Sequence, residues 1–472
     1  MRAFINGRWT EGEESFQVLN PYNNQPIGSA PLLSSQDVRD AVEGAKEGLT
    51  QMESLTPYER YQILQRAAQG FQKASEKLTH LLSLEVGKTI REAKGEVSRA
   101  IQTVTLSSEE AKRLSGEVVP FGSAPNAGDR IGFYLRVPLG VVAAITPFNF
   151  PLNLALHKVA PALAAGDSVI LKPASDTPLT SELLCQILLE AGLPPKGISL
   201  VTGKGEEVGE ALVRDDRVRM ITFTGSLDVG ERIMQGLGMK KATMELGSNS
   251  AVIVERDAIL DEALPRIRDG AFALAGQVCI SVQRVYVQQG IYDDFLEGFV
   301  PLVKGIKPGD PLDEATDMGP MISPQAARRA REWVEEAMER GGKLLTGGGV
   351  EGCLMEPTVL TQVPSDCKVS SQEAFAPLVV VNPYGELEEA IEEVNNSRYG
   401  LQAGIYTQDL DQALTSARKI EVGGVIINDI PTFRVDLMPY GGVKGSGLGR
   451  EGPKYAIEEL TELKLVSIRF HR

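Results

Sequence analysis

Between residues 141 and 237 short apolar runs alternate with helix-period stretches four times. VVAAIT is followed by LALHKVAPALAAG, SVILKP by SELLCQILLEAG, ISLVTG by VGEALVRD, and MITFTGS by VGERIMQGLG. Runs of Val, Ile and Ala without polar alternation are what parallel strands buried on both faces require. Strands regularly interleaved with helices predict a doubly wound α/β unit. A second series begins near residue 246: SAVIV, a helix around Ala271, VYVQQG, a helix across 324–340, LVVVNPY, a helix through Asn395, AGIYT and GGVIIND. It predicts a second α/β domain ending near residue 440.

Upstream of the first series the pattern is different. Residues 35–115 carry apolar positions at three-to-four spacing, and SSQDVRDAVEGA opens them with a Ser/Asp cap, as a helix start should. Residues 1–32 read as short strands and turns, with an Asn-Gly turn in FINGRW and a loop in LNPYNNQPIGSA. PFGSAPNAG breaks the helical stretch, and IGFYLRVPLG follows as a strand or hairpin arm. The tail, AIEELTELKLVSIRF, ends in an apolar strand-like run. Such a terminal strand is a sheet edge that needs covering, which points to a partner subunit.

Composition narrows the class. The 472 residues are 42% hydrophobic and 24% charged, as in ordinary globular proteins of about three domains. A net charge of −15 argues against nucleic acid or an anionic membrane as a partner. No run reaches the roughly 18 apolar residues of a membrane span, and the N-terminus lacks the apolar core of a secretory signal. The four cysteines form no C-x-x-C pair, and histidine occurs only at 80, 157 and 471. No zinc-ligand spacing results, so no metal is expected. Together these features describe a cytoplasmic protein.

Three segments carry candidate chemistry. GQVCISVQR holds Cys279 behind a polar and glycine break, MELGSNSAVIV holds Glu245, and ITPFNFPLN holds Asn149. Singly, each is an unremarkable core cysteine, loop carboxylate or turn former. Jointly they are the residue types that thioester chemistry needs: a nucleophile, a base for water and an oxyanion donor. VTGKGEEVG and FTGSLDVG also place glycines between a strand and a helix start, where backbone N–H groups favour anions. The first spaces Gly203, Gly205 and Gly209 one position too wide for a G-x-G-x-x-G fingerprint.

With TPFNFP, LKPAS, FTGS, MELGSNSAVIV, GQVCISVQR, EPTVL, EAFAPLV and PYGGVKGSGLGREG in this order, the chain resembles the aldehyde dehydrogenase superfamily over essentially its whole length. The segments around Cys279 and in DIPTFRVDLMPYGG resemble the branch of lactaldehyde, glycolaldehyde and non-phosphorylating glyceraldehyde-3-phosphate dehydrogenases. The resemblance implies two doubly wound α/β domains plus a small β oligomerisation element. Residues 1–121 and 142–246 would form the NAD(P)-binding domain, 247–440 the catalytic domain, and 122–141 with 441–472 the oligomerisation element of a homodimer or homotetramer.

The same resemblance implies roles. Cys279 would attack a small aldehyde to give a thiohemiacetal and then a thioester, Asn149 would hold the oxyanion, and Glu245 would activate the hydrolytic water. Thr146, Pro147, Phe148, Lys172, Ser175, Gly205, Gly209, Phe223, Gly225, Ser226, Val229, Leu246, Glu373 and Phe375 would bind the dinucleotide. Many NAD-preferring relatives carry Glu where this chain has Ser175. Its absence removes repulsion against a 2′-phosphate and tilts the expectation toward NADP, with NAD acceptable. A second departure is Ala376, where the family has glycine. Phe433 aligns with a pocket position. Arg434 would either meet a carboxylate, phosphate or sulfonate on the substrate or pair with Asp436 on the surface. His157 is expected to pack on its helix. Two alternatives stand beside hydrolysis: a CoA-acylating semialdehyde dehydrogenase, which generally lacks the Glu245 equivalent, and a non-catalytic structural member of the fold.

Overall fold

In a computed structural model, residues 1–470 are described; His471 and the end of the expected oligomerisation element, residues 471–472, lie outside them. The α/β reading holds, with two mixed sheets and three small ones. The larger sheet runs in the order Arg8–Thr10, Ala3–Ile5, Ile198–Leu200, Ser168–Lys172, Val141–Ile145, Val218–Thr224, Lys241–Glu245, Gly447–Leu448. Its five inner strands are parallel, and both edges are antiparallel.

The runs without alternation are buried on two faces. Val142, Ala144, Val169 and Leu171 pack on one side beneath helices Pro57–Lys73, Ile90–Ala111, Asn153–Ala165 and Leu179–Glu190. Val141, Ala143, Ile145 and Ile170 face the other side, against Ser35–Ser54, Glu210–Arg214 and Leu227–Gly236. Period-two geometry sends neighbours to opposite faces, so an apolar strand with two helical coats must be apolar throughout.

The expected helical stretch is four helices: Ser35–Ser54, Pro57–Lys73, Ser75–Val86 and Ile90–Ala111. Three start with reciprocal capping boxes, Ser34 with Asp37, Thr56 with Glu59 and Thr89 with Glu92. The third ends at Gly87, whose φ of 81° is left-handed. In FINGRW, Asn6 and Gly7 take φ of 50° and 76° and turn the first hairpin. LNPYNNQPIGSA differs from its loop reading: its second half is the strand Pro26–Pro31, paired with Ser15–Leu19.

The second sheet runs Lys343–Thr346, Thr358–Thr361, Leu378–Tyr384, Arg284–Gln288, Ala251–Val254, Gln402–Tyr406, Gly424–Ile427, parallel except at its first strand. Apart from both sheets, Arg130–Pro138 pairs antiparallel with Glu117–Val119 and with the tail strand Thr461–Arg469. Val118, Leu463 and Leu465 are exposed there. Among the described residues, no helix is long and apolar enough to cross a membrane.

Candidate active site

The carboxyl ends of the parallel strands in the first sheet all open toward the second sheet, the usual place for a ligand in open α/β folds. Thr146 follows Val141–Ile145, Lys172 ends its strand, Gly225 follows Val218–Thr224, and Glu245 ends Lys241–Glu245. A cavity of about 1470 Å³ lies across these ends. All fourteen residues expected to bind dinucleotide line it, together with Asn149 and Cys279. Glu245, Phe433 and Arg434 are not on its wall.

On the side of the cavity where the cofactor is expected, several N–H donors are left without partners among the described residues. Lys172 is buried, and its Nζ meets only the Pro173 carbonyl, at 3.3 Å; among the described residues it has no carboxylate partner. Burial alone pushes its ammonium down to about 8. Ser175 is exposed at the cavity edge and donates to the Gly203 carbonyl. Gly225 cannot be replaced without movement, because a Cβ would meet the Phe223 ring at 2.4 Å. Ser226 stands at the N-cap of Leu227–Gly236 with no side-chain cap bond, leaving the first helical N–H groups facing the cavity. Glu373 accepts from Ser248 N at 3.1 Å, and burial pushes its carboxyl up to about 7. Phe148 and Phe375 meet edge to face at 5.7 Å. Phe375 itself has φ of 49°, and Ala376 is buried in the second core. The Ala376 carbonyl would lie 2.0 Å from a Cβ at Gly276, so the loop carrying Cys279 packs backbone to backbone on this segment.

That loop is strained in a way its sequence does not announce. Leu274, Ala275 and Gly276 take φ of 49°, 51° and 69° in succession, a left-handed run that L-residues adopt only under constraint. Glu92 accepts from Leu274 N at 2.6 Å, and the Gln277 side chain ties back to Leu274 O at 3.0 Å and to Ile322 N at 2.8 Å. Asn149 is fixed from both ends of its amide. Its Nδ2 donates to Gln277 O at 2.9 Å and its Oδ1 accepts from Phe150 N at 3.1 Å. One amide N–H therefore remains for a ligand oxygen. Glu96 accepts from Leu152 N and Asn153 N, both at 3.0 Å. A single helix, Ile90–Ala111, thus braces the Asn149 loop and the Cys279 loop together.

Behind Cys279 sits a dense charged cluster. The Cys279 Sγ lies 3.0 Å from the Tyr440 hydroxyl. Burial pushes the thiol up to about 11, opposed by Tyr440 and Arg434. Glu245 is buried, and neither carboxylate oxygen has a partner among the described residues. Burial first, then the nearby Glu451, holds it well above the usual carboxylate range, while Lys158, Arg434 and Arg450 pull it down. Glu451 is paired with Lys158 at 2.7 Å and with Arg434 at 3.1 Å. Arg434 is therefore not a surface arginine: it is buried, and Asp436 pairs instead with Arg99 and His157, each at 2.8 Å. His157, buried on its helix, also touches Arg434 at 3.3 Å. Phe433 is exposed on the following loop. Tyr440, Lys158, Glu451 and the bracing Glu92 and Glu96 carry no short-range sequence signal, since Tyr440 meets Cys279 across 161 residues and Lys158 meets Glu451 across 293. Gly447–Leu448, from the stretch expected to mediate assembly, pairs with Lys241–Glu245 and so closes the sheet edge at Glu245.

The chain is similar to known proteins over nearly its whole length. The model of the aldehyde dehydrogenase family matches residues 9–466. The chain is 49% identical over 463 residues to the 3-sulfolactaldehyde dehydrogenase of Priestia aryabhattai, covering 98% of this chain and 97% of that protein. Aldehyde dehydrogenase 21 of Physcomitrella patens, crystallised with its reaction product succinate, superposes with a TM-score of 0.97 at 40% identity, over 99% and 98% of the two chains. The glyceraldehyde-3-phosphate dehydrogenase GapN of Methanocaldococcus jannaschii, complexed with NADP, does so with a TM-score of 0.93 at 42% identity, over 96% and 99%. The chain belongs to the aldehyde dehydrogenase family and is an NAD(P)-dependent aldehyde dehydrogenase.

Proposed function

We propose that the chain oxidises a small anionic or 2-hydroxylated aldehyde to its carboxylic acid through a covalent thioester on Cys279. The observation that carries this reading is the grouping of a half-buried thiol, a fixed Asn149 amide with one free N–H, and an unpartnered buried carboxyl at Glu245. The Cys279 thiolate adds to the carbonyl carbon, and the negative charge passes to the carbonyl oxygen. Asn149 and the Cys279 backbone N–H stabilise that oxyanion. A bound nicotinamide supplies the hydride acceptor. Collapse of the thiohemiacetal leaves a thioester on Cys279. Glu245, once deprotonated, takes a proton from the water that cleaves it. Its presence favours water over CoA as acyl acceptor, and with Cys279 it favours a catalyst over a structural member of the fold.

Lys172 with Ser175 would hold the adenosine ribose or its 2′-phosphate, Gly205, Gly209, Gly225 and Ser226 the pyrophosphate, and Glu373 the nicotinamide ribose. The buried ammonium without an anion and the missing carboxylate at 175 favour NADP, with NAD also accepted. On the substrate side, the buried Nε of Arg434 has no partner among the described residues. It is the donor we assign to a substrate carboxylate, phosphate or sulfonate, and Phe433 would line the approach. The exposed Val118, Leu463 and Leu465 support a homodimer or homotetramer built on the strand Thr461–Arg469, beside working units of residues 1–121 with 142–246 and of residues 247–440.

The test is reduced-nicotinamide absorbance at 340 nm with sulfolactaldehyde, lactaldehyde, glycolaldehyde, succinate semialdehyde, glyceraldehyde-3-phosphate and an unsubstituted aldehyde. Each is run with NAD and NADP and without CoA. Preference for anionic aldehydes that Arg434→Met removes is expected. Activity confined to neutral short aldehydes would return Arg434 to a purely internal role.

A further inference from the structure

Tyr440 is 3% exposed, and among the described residues its hydroxyl has a single hydrogen-bond partner, the Sγ of Cys279 at 3.0 Å. Above its ring, the Arg434 guanidinium lies 3.6 Å from the centroid, held by Glu451, which Lys158 holds in turn. A buried phenol is costly unless its O–H finds an acceptor. A neutral thiol is a weak one, whereas a thiolate is charged and accepts strongly. The cation on the ring face makes the hydroxyl a better donor and prevents the ring from turning away.

We propose that Tyr440 is a further catalytic residue, whose O–H donates to Cys279 Sγ and thereby stabilises and aims the thiolate, with Arg434 as a positioning residue acting on the sulfur through the tyrosine ring. This rests on Cys279 being the nucleophile. No proton leaves Tyr440 at any point. As the new C–S bond forms, the sulfur lone pair is used, the charge moves to the carbonyl oxygen, and the hydrogen bond to sulfur weakens. The hydroxyl is then free to meet a polar substituent on the bound aldehyde. Of the charged and titratable groups facing the sulfur, Glu373 and Glu245 oppose the thiolate, while Tyr440 and Arg434 favour it. Burial is the larger opposition to the thiolate, and among the described residues the Tyr440 O–H is the donor within hydrogen-bond reach of the sulfur.

The experiment is the pH dependence of Cys279 alkylation by iodoacetamide, a neutral reagent, in the full-length enzyme without aldehyde. It is followed by peptide mass spectrometry and by loss of turnover. Cys185, Cys353 and Cys367 are buried, so the fast-reacting peptide reports Cys279. In Tyr440→Phe the alkylation midpoint should rise by about one pH unit, making alkylation at pH 7 about tenfold slower while the high-pH plateau is unchanged. Site-specific 3-fluorotyrosine at 440, a more acidic donor of the same shape, should move the midpoint down. A merely structural tyrosine would lower the rate at every pH without moving the midpoint, and that result overturns the proposal. So does a shift of the same sign in both variants. If Cys279 in the unsubstituted enzyme is alkylated without loss of turnover, the nucleophile reading itself falls and takes the proposal with it. An unmoved midpoint with inactivation intact removes Tyr440 alone.

Discussion

The two ends of the catalytic cleft solve opposite problems with the same kinds of side chain. At the cofactor end, Lys172 is buried with no carboxylate partner among the described residues, Ser226 caps its helix with no side-chain bond, and the space between them is part of a cavity of about 1470 Å³. At the nucleophile end, Lys158, Arg434, Glu451, His157, Asp436 and Arg99 are interlocked by ion pairs and hydrogen bonds of 2.7–3.3 Å. The open end keeps donors unsatisfied for a ligand that brings its own phosphates. The closed end must be satisfied internally, because unpaired charges there would be prohibitive in a dry site. Arg434 Nε, Asp436 Oδ2 and His157 Nδ1 lack a partner there, but each of those side chains is bonded through another atom, whereas neither oxygen of Glu245 has a partner among the described residues. A buried carboxyl with neither oxygen engaged is the group this network leaves free for the proton exchange proposed above.

On that division, damage at the closed end should remove chemistry and damage at the open end should change selectivity. The largest effect should come from Cys279→Ala, which leaves the cavity intact but removes the sulfur. Turnover should fall by more than about 10⁴-fold, while dinucleotide binding, followed by fluorescence titration, stays within a few-fold. Retained turnover above about one per cent of the parent would end the thioester mechanism. Glu245→Gln comes next. It should permit one equivalent of reduced nicotinamide per active site and then stall, with the steady state down by about 100-fold or more. In the unsubstituted enzyme the sign of the pH effect follows from burial. Glu245 is held neutral into a range where carboxylates are normally ionised, so deacylation should accelerate as pH rises above the ordinary carboxylate range. A stopped-flow burst of constant size with a pH-independent steady state would assign water activation elsewhere.

How much of this was legible in the chain follows the same division. The open end reads well, because it is built from consecutive residues at strand ends and helix starts: ITPF, LKPAS and FTGS each fold locally into the place where they act. The sheet strands read well for a related reason, since VVAAI and SVILK have no polar residue to spare for solvent. The strand KATME does not. It has one β-branched residue and reads as a loop, yet Met220 to Thr224 pair with it along its full length and so deliver Glu245. The closed end was legible at Cys279 and Glu245, and at Arg434 as a choice between a substrate anion and Asp436. Its supporting members are scattered over helices and the late PYGGVKGSGLGREG segment, and their pairing exists only once the sheets have assembled. Arg434 shows the cost of reading it locally. Its neighbour Asp436 is two residues away, but the ion pair it makes is with Glu451.

The open end yields smaller, graded effects. Ser175→Glu places a carboxylate beside the group that would carry the 2′-phosphate. At a few ångströms and an effective dielectric near 20 the repulsion is a few kcal/mol, reduced by the exposure of this site. kcat/KM for NADP should therefore fall about tenfold to a hundredfold while that for NAD changes little. Equal losses with both cofactors would remove the selectivity role of this position.

The most delicate test uses Lys172 without any mutation. Burial brings its ammonium down to about 8 in the free enzyme. A phosphate bound against it would stabilise the charged form and raise that value, so NADP binding above about pH 8 must take up a proton. Affinity for NADP should then fall by up to about tenfold between pH 7 and 9, because the fraction of charged Lys172 falls by that factor across the interval. NAD, which offers no phosphate at that position, should lose much less. Calorimetric titration in two buffers of different ionisation enthalpy reads the proton uptake directly. If both dinucleotides weaken in parallel, or neither takes up a proton, Lys172 serves the ribose hydroxyls rather than a 2′-phosphate. The open end would then select its cofactor by shape and not by charge.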